Sequence, residues 1–222
     1  MKSSTEIREF DFRQARPEEY EAVGAFLDRL RAERDPDDPP IPLEERIRRW
    51  QHMPAHIGFQ SWVIWHRERP EVIAEAELIV HVADMNVAVL PEFRRQGLGR
   101  RLLAPVAAAA GREGRTLLVT TTHSTVPAGD AFMDRLGATM GPGGLGGPRA
   151  QGAPRSVRPP DRRQLEERPQ VRRIRTGNAY VNEPMLKLNR ELGFRPYRSM
   201  YIWQVDVSRV RAYLNQAGIS LT

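Results

Sequence analysis

The stretch VAVLPEFRRQGLGRRLL, residues 87–103, decides how the middle of the chain folds. Alternating apolar residues come first and apolar residues at helical spacing follow, so the stretch predicts a strand, a turn and a helix in direct succession. The turn contains Gly97 and Gly99, preceded by Arg94, Arg95 and Gln96. A turn that only connects a strand to a helix does not need two glycines and two arginines, so this composition indicates a further role.

Anion binding explains this composition. The first N–H groups of a helix have no partner within the helix, and the helix dipole places partial positive charge there. Glycine allows a ligand to approach the backbone without a Cβ in the way. The turn therefore predicts a cradle for a pyrophosphate. It lacks the lysine and the Ser/Thr of a P-loop, so hydrolysis of a nucleoside triphosphate is not expected.

The residues 94–99, RRQGLG, resemble the Arg/Gln-x-x-Gly-x-Gly/Ala signature of the GNAT superfamily of acyl-CoA-dependent N-acetyltransferases. The preceding VAVLP is similar to the fourth strand of that family. A later stretch, NAYVNEPMLKLNRELGF at 178–194, resembles the family's fifth strand and following helix. Because the chain contains both halves of the family signature, it resembles a shortened tandem GNAT protein, a group that includes mycothiol synthase.

The resemblance implies an α/β fold, in which a mixed, mostly antiparallel central sheet has helices on both faces. Acetyl-CoA would lie between the fourth and fifth strands, with its pyrophosphate on the turn and its pantetheine arm along the fourth strand. The residues that the resemblance assigns to cofactor binding are Val87, Val89, Arg94, Arg95, Gln96, Gly97, Leu98, Gly99, Arg100, Asn178 and Asn189. The acetyl group would pass directly to a primary amine of a small molecule or a peptide.

The catalytic residues are less well defined. Many members of the family place a tyrosine after the fifth strand as general acid, but the corresponding positions here hold Met133 and Asn189. A carboxylate on or beside the central strands could accept the ammonium proton if burial raised its pKa. Glu75, Glu77 and Asp84 are the candidates, with Glu77 preferred. The missing tyrosine leaves open the alternative of an impaired acyl-CoA-binding remnant without turnover.

The chain predicts three segments: a GNAT-like domain over 1–140, a disordered Gly/Pro/Arg-rich linker over 141–160, and a partial second GNAT unit over 161–222. An internal echo supports this division, because residues 120–138 and 176–194 both run strand, polar loop, short helix and Leu-Gly. The C-terminal strands could complete the sheet of the first segment.

Composition sets further limits. The 222 residues include no cysteine, and the His52/His56 pair is interrupted by Pro54, so no metal site is expected. The formal charge of +6 equals the excess in residues 149–175, which hold nine arginines and three acids. Nucleic-acid binding by that segment would be nonspecific and salt-sensitive. We expect a cytoplasmic protein with no membrane association; the oligomeric state stays open.

Overall fold

A computed structural model describes residues 6–140, 153–167, 170–178 and 182–220. The chain forms two compact units. The first unit comprises Met1–Thr120 and Val205–Thr222, and the second unit comprises Thr121–Gln204. The predicted organisation into 1–140, 141–160 and 161–222 stays a prediction, because these units are defined by compactness alone.

The elements follow one another in this order. The first part of the chain contains β1 (Ile7–Glu9), α1 (Pro17–Arg34), α2 (Leu43–Gln51), β2 (Phe59–Trp65), β3 (Val72–Ile79), β4 (Asp84–Val89) and α3 (Leu98–Arg112). Next come β5 (Leu117–His123), α4 (Pro127–Arg135), β6 (Thr139–Met140) and β7 (Ala153–Arg158). The last part contains α5 (Arg162–Glu167), β8 (Ile174–Gly177), α6 (Glu183–Glu191), β9 (Arg195–Asp206) and α7 (Val207–Gln216).

The sheet of the first unit has the strand order β1-β2-β3-β4-β5. Strands β1 to β4 pair antiparallel, and β4 pairs parallel with β5 at Asp84↔Val119. This mixed, largely antiparallel sheet with helices confirms the predicted fold class. No helix among the described residues is long and apolar enough to cross a membrane.

One face of this sheet is covered by α1 and α2. Val63 of β2 is buried in a cluster with Val23 and Phe26 of α1 and Trp50 of α2. Pro17 occupies the first turn of α1 and two glutamates follow it, which is the composition that favours a helix start. Glu75 of β3 lies opposite Val63, and Ala88 of β4 lies opposite Glu75. Directly opposed residues share a face of the sheet, so Glu75 and Ala88 also face α1 and α2.

Helix α3 packs against β3 and against α7. The chain enters α7 beside the start of β5, where the N–H of Val207 donates to the carbonyl of Thr116 at 2.9 Å. The guanidinium end of Arg211 of α7 lies against Gly111 of α3, in the space that a Cβ would occupy. Helix α7 therefore begins near the C-terminal end of α3 and packs along it.

The second unit contains the antiparallel ladder β8-β7-β9, and β6 also pairs with β9. Residues 141–152 of the predicted linker lie outside the described residues. Its last part does not fit the prediction, because Ala153–Arg158 form β7. The backbone of β7 pairs with β8 on one side and with β9 on the other. Its strand conformation depends on these neighbours, so the local composition did not predict it.

Candidate functional site

The turn between β4 and α3 has two residues in the left-handed region. Arg95 has φ +64° and Gly97 has φ +83°. A Cβ built on Gly97 would meet nothing within 4 Å, so the space in front of this backbone is open. Gly97 caps α3, whose first-turn donors are the N–H groups of Leu98, Gly99 and Arg100. The observed backbone therefore has the open, donor-rich form that an anion cradle requires.

Arg94 braces this turn from behind. Its Nε donates to the carbonyl of Val89 at 3.0 Å, and its Nη1 and Nη2 donate to the two carboxylate oxygens of Glu33 at 2.7 and 2.5 Å. Both side chains are about three-quarters buried, with 23% and 26% exposure. The resemblance assigned Arg94 to cofactor binding, whereas the structure shows its charge balanced by Glu33 of α1. No sequence signal points to Glu33, which lies 61 residues away.

The exposed side of the turn carries Arg95 and Gln96, both exposed, with Gln96 Nε2 donating to the carbonyl of Glu92 at 3.3 Å. Arg100 is half-buried, and its guanidinium carbon lies 5.3 Å from the ring centroid of Tyr213 on α7. This distance is within the range of a cation–π interaction. Helix α7 therefore holds one of the predicted phosphate-binding side chains, a role that sequence reasoning missed.

The free edge of β4 follows from its register. The N–H of Leu90 donates to the carbonyl of Ile73 at 3.0 Å, and Ala74↔Val89 and Ala76↔Val87 are register pairs. Because hydrogen-bonded pairs alternate along an antiparallel ladder, the backbone groups of Val87 and Val89 point away from β3. Both lie beyond Asp84↔Val119, the register pair with β5. This is the edge predicted for the pantetheine arm.

Three carboxylates, those of Glu75, Glu77 and Asp84, lie on the face of the sheet that α1 and α2 cover. Two cross-strand rows run through β2, β3 and β4: Ser61–Glu77–Asn86 and Val63–Glu75–Ala88. Asp84 lies one row further, opposite Ile79. The side chain of Asn86 hydrogen-bonds to Glu77. The sequence predictions for Glu77 and Asp84 thus fall on adjacent rows of one face.

Burial changes the acidity of all three groups. It raises the pKa of Glu77 to about 7, with the charge of Asp84 raising it and the Asn86 hydrogen bond lowering it. Burial also raises the pKa of Asp84. Glu75 is 0% exposed and neither carboxyl oxygen has a hydrogen-bond partner, so burial, with a contribution from the charge of Glu77, raises its pKa well above the usual value. Glu77 is the member that is both half-buried and close to half-ionised near neutral pH.

The other predicted residues lie in the second unit. Asn189 on α6 is buried, Asn178 follows β8, and Nδ2 of each has no hydrogen-bond partner. Met133 on α4 is buried at 3% exposure. The structure describes each of these within its own unit, and their part in cofactor binding stays a prediction. Within the described ranges, no group of three or more His, Asp and Glu side chains could hold a metal ion.

Comparison with known proteins shows that part of the chain is similar to a described family. Residues 58–137, which include β3, β4, the turn and α3, match the family model described as the acetyltransferase (GNAT) domain. No curated protein matches the chain. The predicted GNAT resemblance is therefore confirmed for this region, while a mycothiol synthase-like specificity stays a prediction.

Solved structures share the fold at low sequence identity. A tandem GNAT protein from the clavulanic acid biosynthesis pathway, solved without acetyl-CoA, has a TM-score of 0.66 and 18% identity, covering 91% of this chain and 98% of that chain. Spermidine N-acetyltransferase from Vibrio cholerae, in complex with CoA and spermine, gives 0.56 and 8%, covering 92% and 98%. The protein yncA from Salmonella typhimurium, solved with its cofactor acetyl-CoA, gives 0.54 and 17%, covering 92% and 95%.

Proposed function

We propose that this chain is an acetyl-CoA-dependent N-acetyltransferase that acetylates a primary amine of a small molecule or a peptide. The observation that carries the proposal is the turn at Gly97: open space, a left-handed backbone and the free donors of α3 meet at one point. The match of residues 58–137 to the GNAT domain supports the same function.

Acetyl-CoA fits the residues that surround the turn. The N–H groups of Gln96 to Arg100 would hold the pyrophosphate, and the guanidinium groups of Arg95 and Arg100 would add positive charge. The backbone of Val87 and the N–H of Val89 would pair with the pantetheine arm along this edge of β4, while the carbonyl of Val89 accepts from Arg94. Acetyl-CoA supplies an activated acetyl group as a thioester. Arg94 would hold the shape of the turn through Val89 and Glu33 and would not contact the phosphates.

Glu77 is the proposed general base. An amine reaches the site as an ammonium ion and needs to lose a proton before its nitrogen can attack the thioester carbonyl. A carboxylate with a pKa of about 7 accepts this proton readily and is already ionised in about half of the molecules at neutral pH. Asn86 orients it from the neighbouring strand. Asp84, more exposed, would attract the cationic acceptor to this face.

One observation favours a second candidate, an acyl-CoA-binding protein without turnover. The positions of the family's general acid hold Met133 and Asn189, and neither side chain can protonate a departing thiolate. In the first candidate, water or the released amine proton would protonate the thiolate.

Calorimetric titration with acetyl-CoA and with free CoA tests the cradle. We expect micromolar binding by the intact chain and its loss in an Arg95→Glu, Gly97→Glu double variant. Arg67→Glu, in the exposed turn between β2 and β3, is the matched control for charge reversal. Equal affinity of the intact chain and the double variant would refute the site.

Turnover separates the two candidates. Release of CoA thiol is measured with a panel of mono-, di- and polyamines and N-terminal peptides, and the products are identified by mass spectrometry. Acetylation that is lost in Glu77→Gln supports the enzyme. Tight binding of acetyl-CoA without turnover on any amine supports the binding protein. The cytoplasmic location stays a prediction.

A further inference from the structure

We propose that the acceptor is a dication, an alkane diamine or a polyamine, with one ammonium group at Glu77 and a second ammonium group at Asp84. The surface that would hold it, called the acidic strip below, is defined by Glu75, Glu77 and Asp84. This assignment rests on the proposed acetyltransferase function and specifies the class of acceptor for the same site.

Strand register places the three carboxyl groups in a line on one face of the sheet. Glu75 and Glu77 are two residues apart on β3, so their side chains leave the same face about 7 Å apart. Glu77 lies opposite Asn86, and Asp84 precedes Asn86 by two residues on β4. Such diagonal neighbours on adjacent strands lie about 7–8 Å apart. The acidic strip therefore begins at a fully buried carboxyl group and ends at an exposed one.

The acidic strip has no positive partner of its own. Among the residues that the structure describes, no arginine or lysine pairs with any of its three carboxyl groups, and no positive charge lowers their pKa values. Other partly buried carboxylates of the first unit each pair with an arginine, namely Glu33 with Arg94 and Asp28 with Arg46. Basic side chains outnumber acidic ones in this chain, 34 to 28, so a shortage of cations does not explain the difference. The positive charge that the acidic strip lacks is therefore left to a ligand.

Glu75 indicates which chemical group would bind at the inner end of the acidic strip. Its side chain is 0% exposed, and neither carboxyl oxygen has a hydrogen-bond partner. A buried polar group without a partner costs free energy, so native structures contain few of them. The charge of Glu77 acts on Glu75, which shows that the two groups are close. An ammonium group has three N–H donors, so one ammonium bound at Glu77 can also donate to Glu75.

The ammonium at Glu77 is the one that reacts. Its nitrogen attacks the thioester carbonyl carbon of acetyl-CoA, a C–N bond forms and the C–S bond breaks. The nitrogen loses two protons in all, of which Glu77 takes one and the departing CoA thiolate takes the other. The acetylated product has one positive charge fewer than the acceptor and keeps only the ammonium at Asp84. It therefore binds to the acidic strip more weakly than the acceptor, which favours its release.

The spacing of the acidic strip sets the length of the acceptor. In an extended chain three covalent bonds span about 3.6 Å, which is about 1.2 Å per bond. Two ammonium groups about 7–8 Å apart are then joined by about six bonds, or about five carbon atoms. Ile79, half-buried and opposite Asp84, lies beside the line from Glu77 to Asp84 and offers an apolar surface to these carbons. A much shorter diamine cannot reach both carboxylates.

Acetylation of pentane-1,5-diamine and of 5-aminopentan-1-ol tests the proposal, because these acceptors have the same length and differ in the second charge. Release of CoA thiol gives kcat/KM for each. We expect the diamine to exceed the amino alcohol about tenfold through a lower KM: about twofold from its two equivalent ends and about fivefold from an ion pair at an exposed carboxylate. In Asp84→Asn the ratio is expected to fall to about two. The ratio is independent of Glu77, which acts on both acceptors alike.

Glu21→Gln is the matched control, because it removes the same charge from an exposed residue of α1 away from the acidic strip. It is expected to keep the tenfold ratio, and an equal loss in Glu21→Gln and Asp84→Asn would overturn the proposal, since net charge alone would then explain the preference. Propane-1,3-diamine, too short to reach both carboxylates, is expected to exceed 3-aminopropan-1-ol only by about the twofold of its two ends. A ratio of about two for the longer pair in the intact chain would refute the dication and leave the acetyltransferase function in place.

Binding measured without turnover separates the two proposals. If no amine is acetylated, the acetyltransferase proposal fails, and calorimetric titration of the intact chain with pentane-1,5-diamine decides whether the acidic strip holds a dication. Binding that weakens about fivefold in Asp84→Asn, and that 5-aminopentan-1-ol does not match, supports the strip. Absence of binding, or equal binding of the two compounds, overturns it. Circular dichroism and thermal unfolding of each variant show whether the sheet is retained, and the comparison of the two acceptors in the intact chain needs no variant.

Discussion

The ionisation of Glu77 gives the sharpest prediction about the proposed reaction. With a pKa of about 7, the carboxylate form makes up about a tenth of the molecules at pH 6, about half at pH 7 and about nine tenths at pH 8. If only this form accepts the ammonium proton, kcat/KM rises about tenfold between pH 6 and pH 8 through Glu77 alone. A glutamate with its usual pKa near 4.5 would give a flat profile over this range.

Two neighbours shift this midpoint in opposite directions. Asn86→Ala removes the hydrogen bond that lowers the pKa of Glu77, so the midpoint is expected to rise. Asp84→Asn removes a nearby negative charge that raises the pKa of Glu77, so the midpoint is expected to fall. Glu77→Gln is expected to lower kcat/KM about 100-fold or more and to abolish the dependence on this group.

The assay measures released CoA thiol with a disulfide reagent, and the chain contributes no background because it has no cysteine. The acceptor amine also loses protons as the pH rises, which adds to every profile. That contribution is identical in all variants, so the shift between variants isolates Glu77. A ¹³C-carboxyl NMR titration of glutamate-labelled protein gives the same midpoint without any acceptor.

The reasoning would be refuted by a midpoint that stays in place, or moves in one direction, in both Asn86→Ala and Asp84→Asn. A midpoint near 4.5 in the NMR titration would refute it independently, because the buried environment of β3 would then have no effect on Glu77. Activity retained in Glu77→Gln with an unchanged pH profile would assign the base to another group.

Three further predictions concern other parts of the first unit. A double-mutant cycle of Arg94→Ala and Glu33→Ala in urea unfolding is expected to give a coupling of about 1–2 kcal/mol, since the pair is bidentate and mostly buried; purely additive effects would show that it does not brace the turn. Gly97→Ala is expected to cost about 1 kcal/mol of stability through its φ of +83° alone, because its Cβ would meet no atom, and to weaken acetyl-CoA binding in calorimetry. Glu75 has a folded pKa raised above its unfolded value, so its stabilising contribution is complete below the unfolded pKa and is lost as pH rises through the folded pKa. Glu75→Gln is therefore expected to narrow the difference in Tm between pH 5 and pH 8, and an unchanged difference would contradict the assigned ionisation.

The sequence predicted what depends on neighbours along the chain. The strand, turn and helix over 87–103 are local, because the glycines, the basic residues and the helical spacing lie within one stretch. Glu77 was a candidate because the alternating pattern of its own segment predicts a central strand. Its pKa was not predictable, since that depends on burial under α1 and on Asn86 across the ladder.

Contacts between segments that are distant in the chain could not be predicted from the sequence. Nothing near Arg94 in the sequence indicates Glu33, and nothing near Arg100 indicates Tyr213. The strand β7 was mistaken for linker because its residues are polar and its order depends on β8 and β9.

The chain path connects the C-terminal helix to the proposed cofactor site. The first unit ends its first segment at Thr120, within β5, and resumes at Val205, within β9, so the residues of the second unit are an insertion in the chain of the first. Helix α7 then packs along α3 and places Tyr213 under Arg100, at the end of α3 that carries the cradle. Loss of the ring would free Arg100 at a cost of about 1 kcal/mol. Tyr213→Leu is therefore expected to weaken acetyl-CoA binding measured by calorimetry, while Tyr213→Phe is expected to preserve it. Equal affinity of the two variants would mean that α7 supports α3 without contributing to the recognition of phosphate.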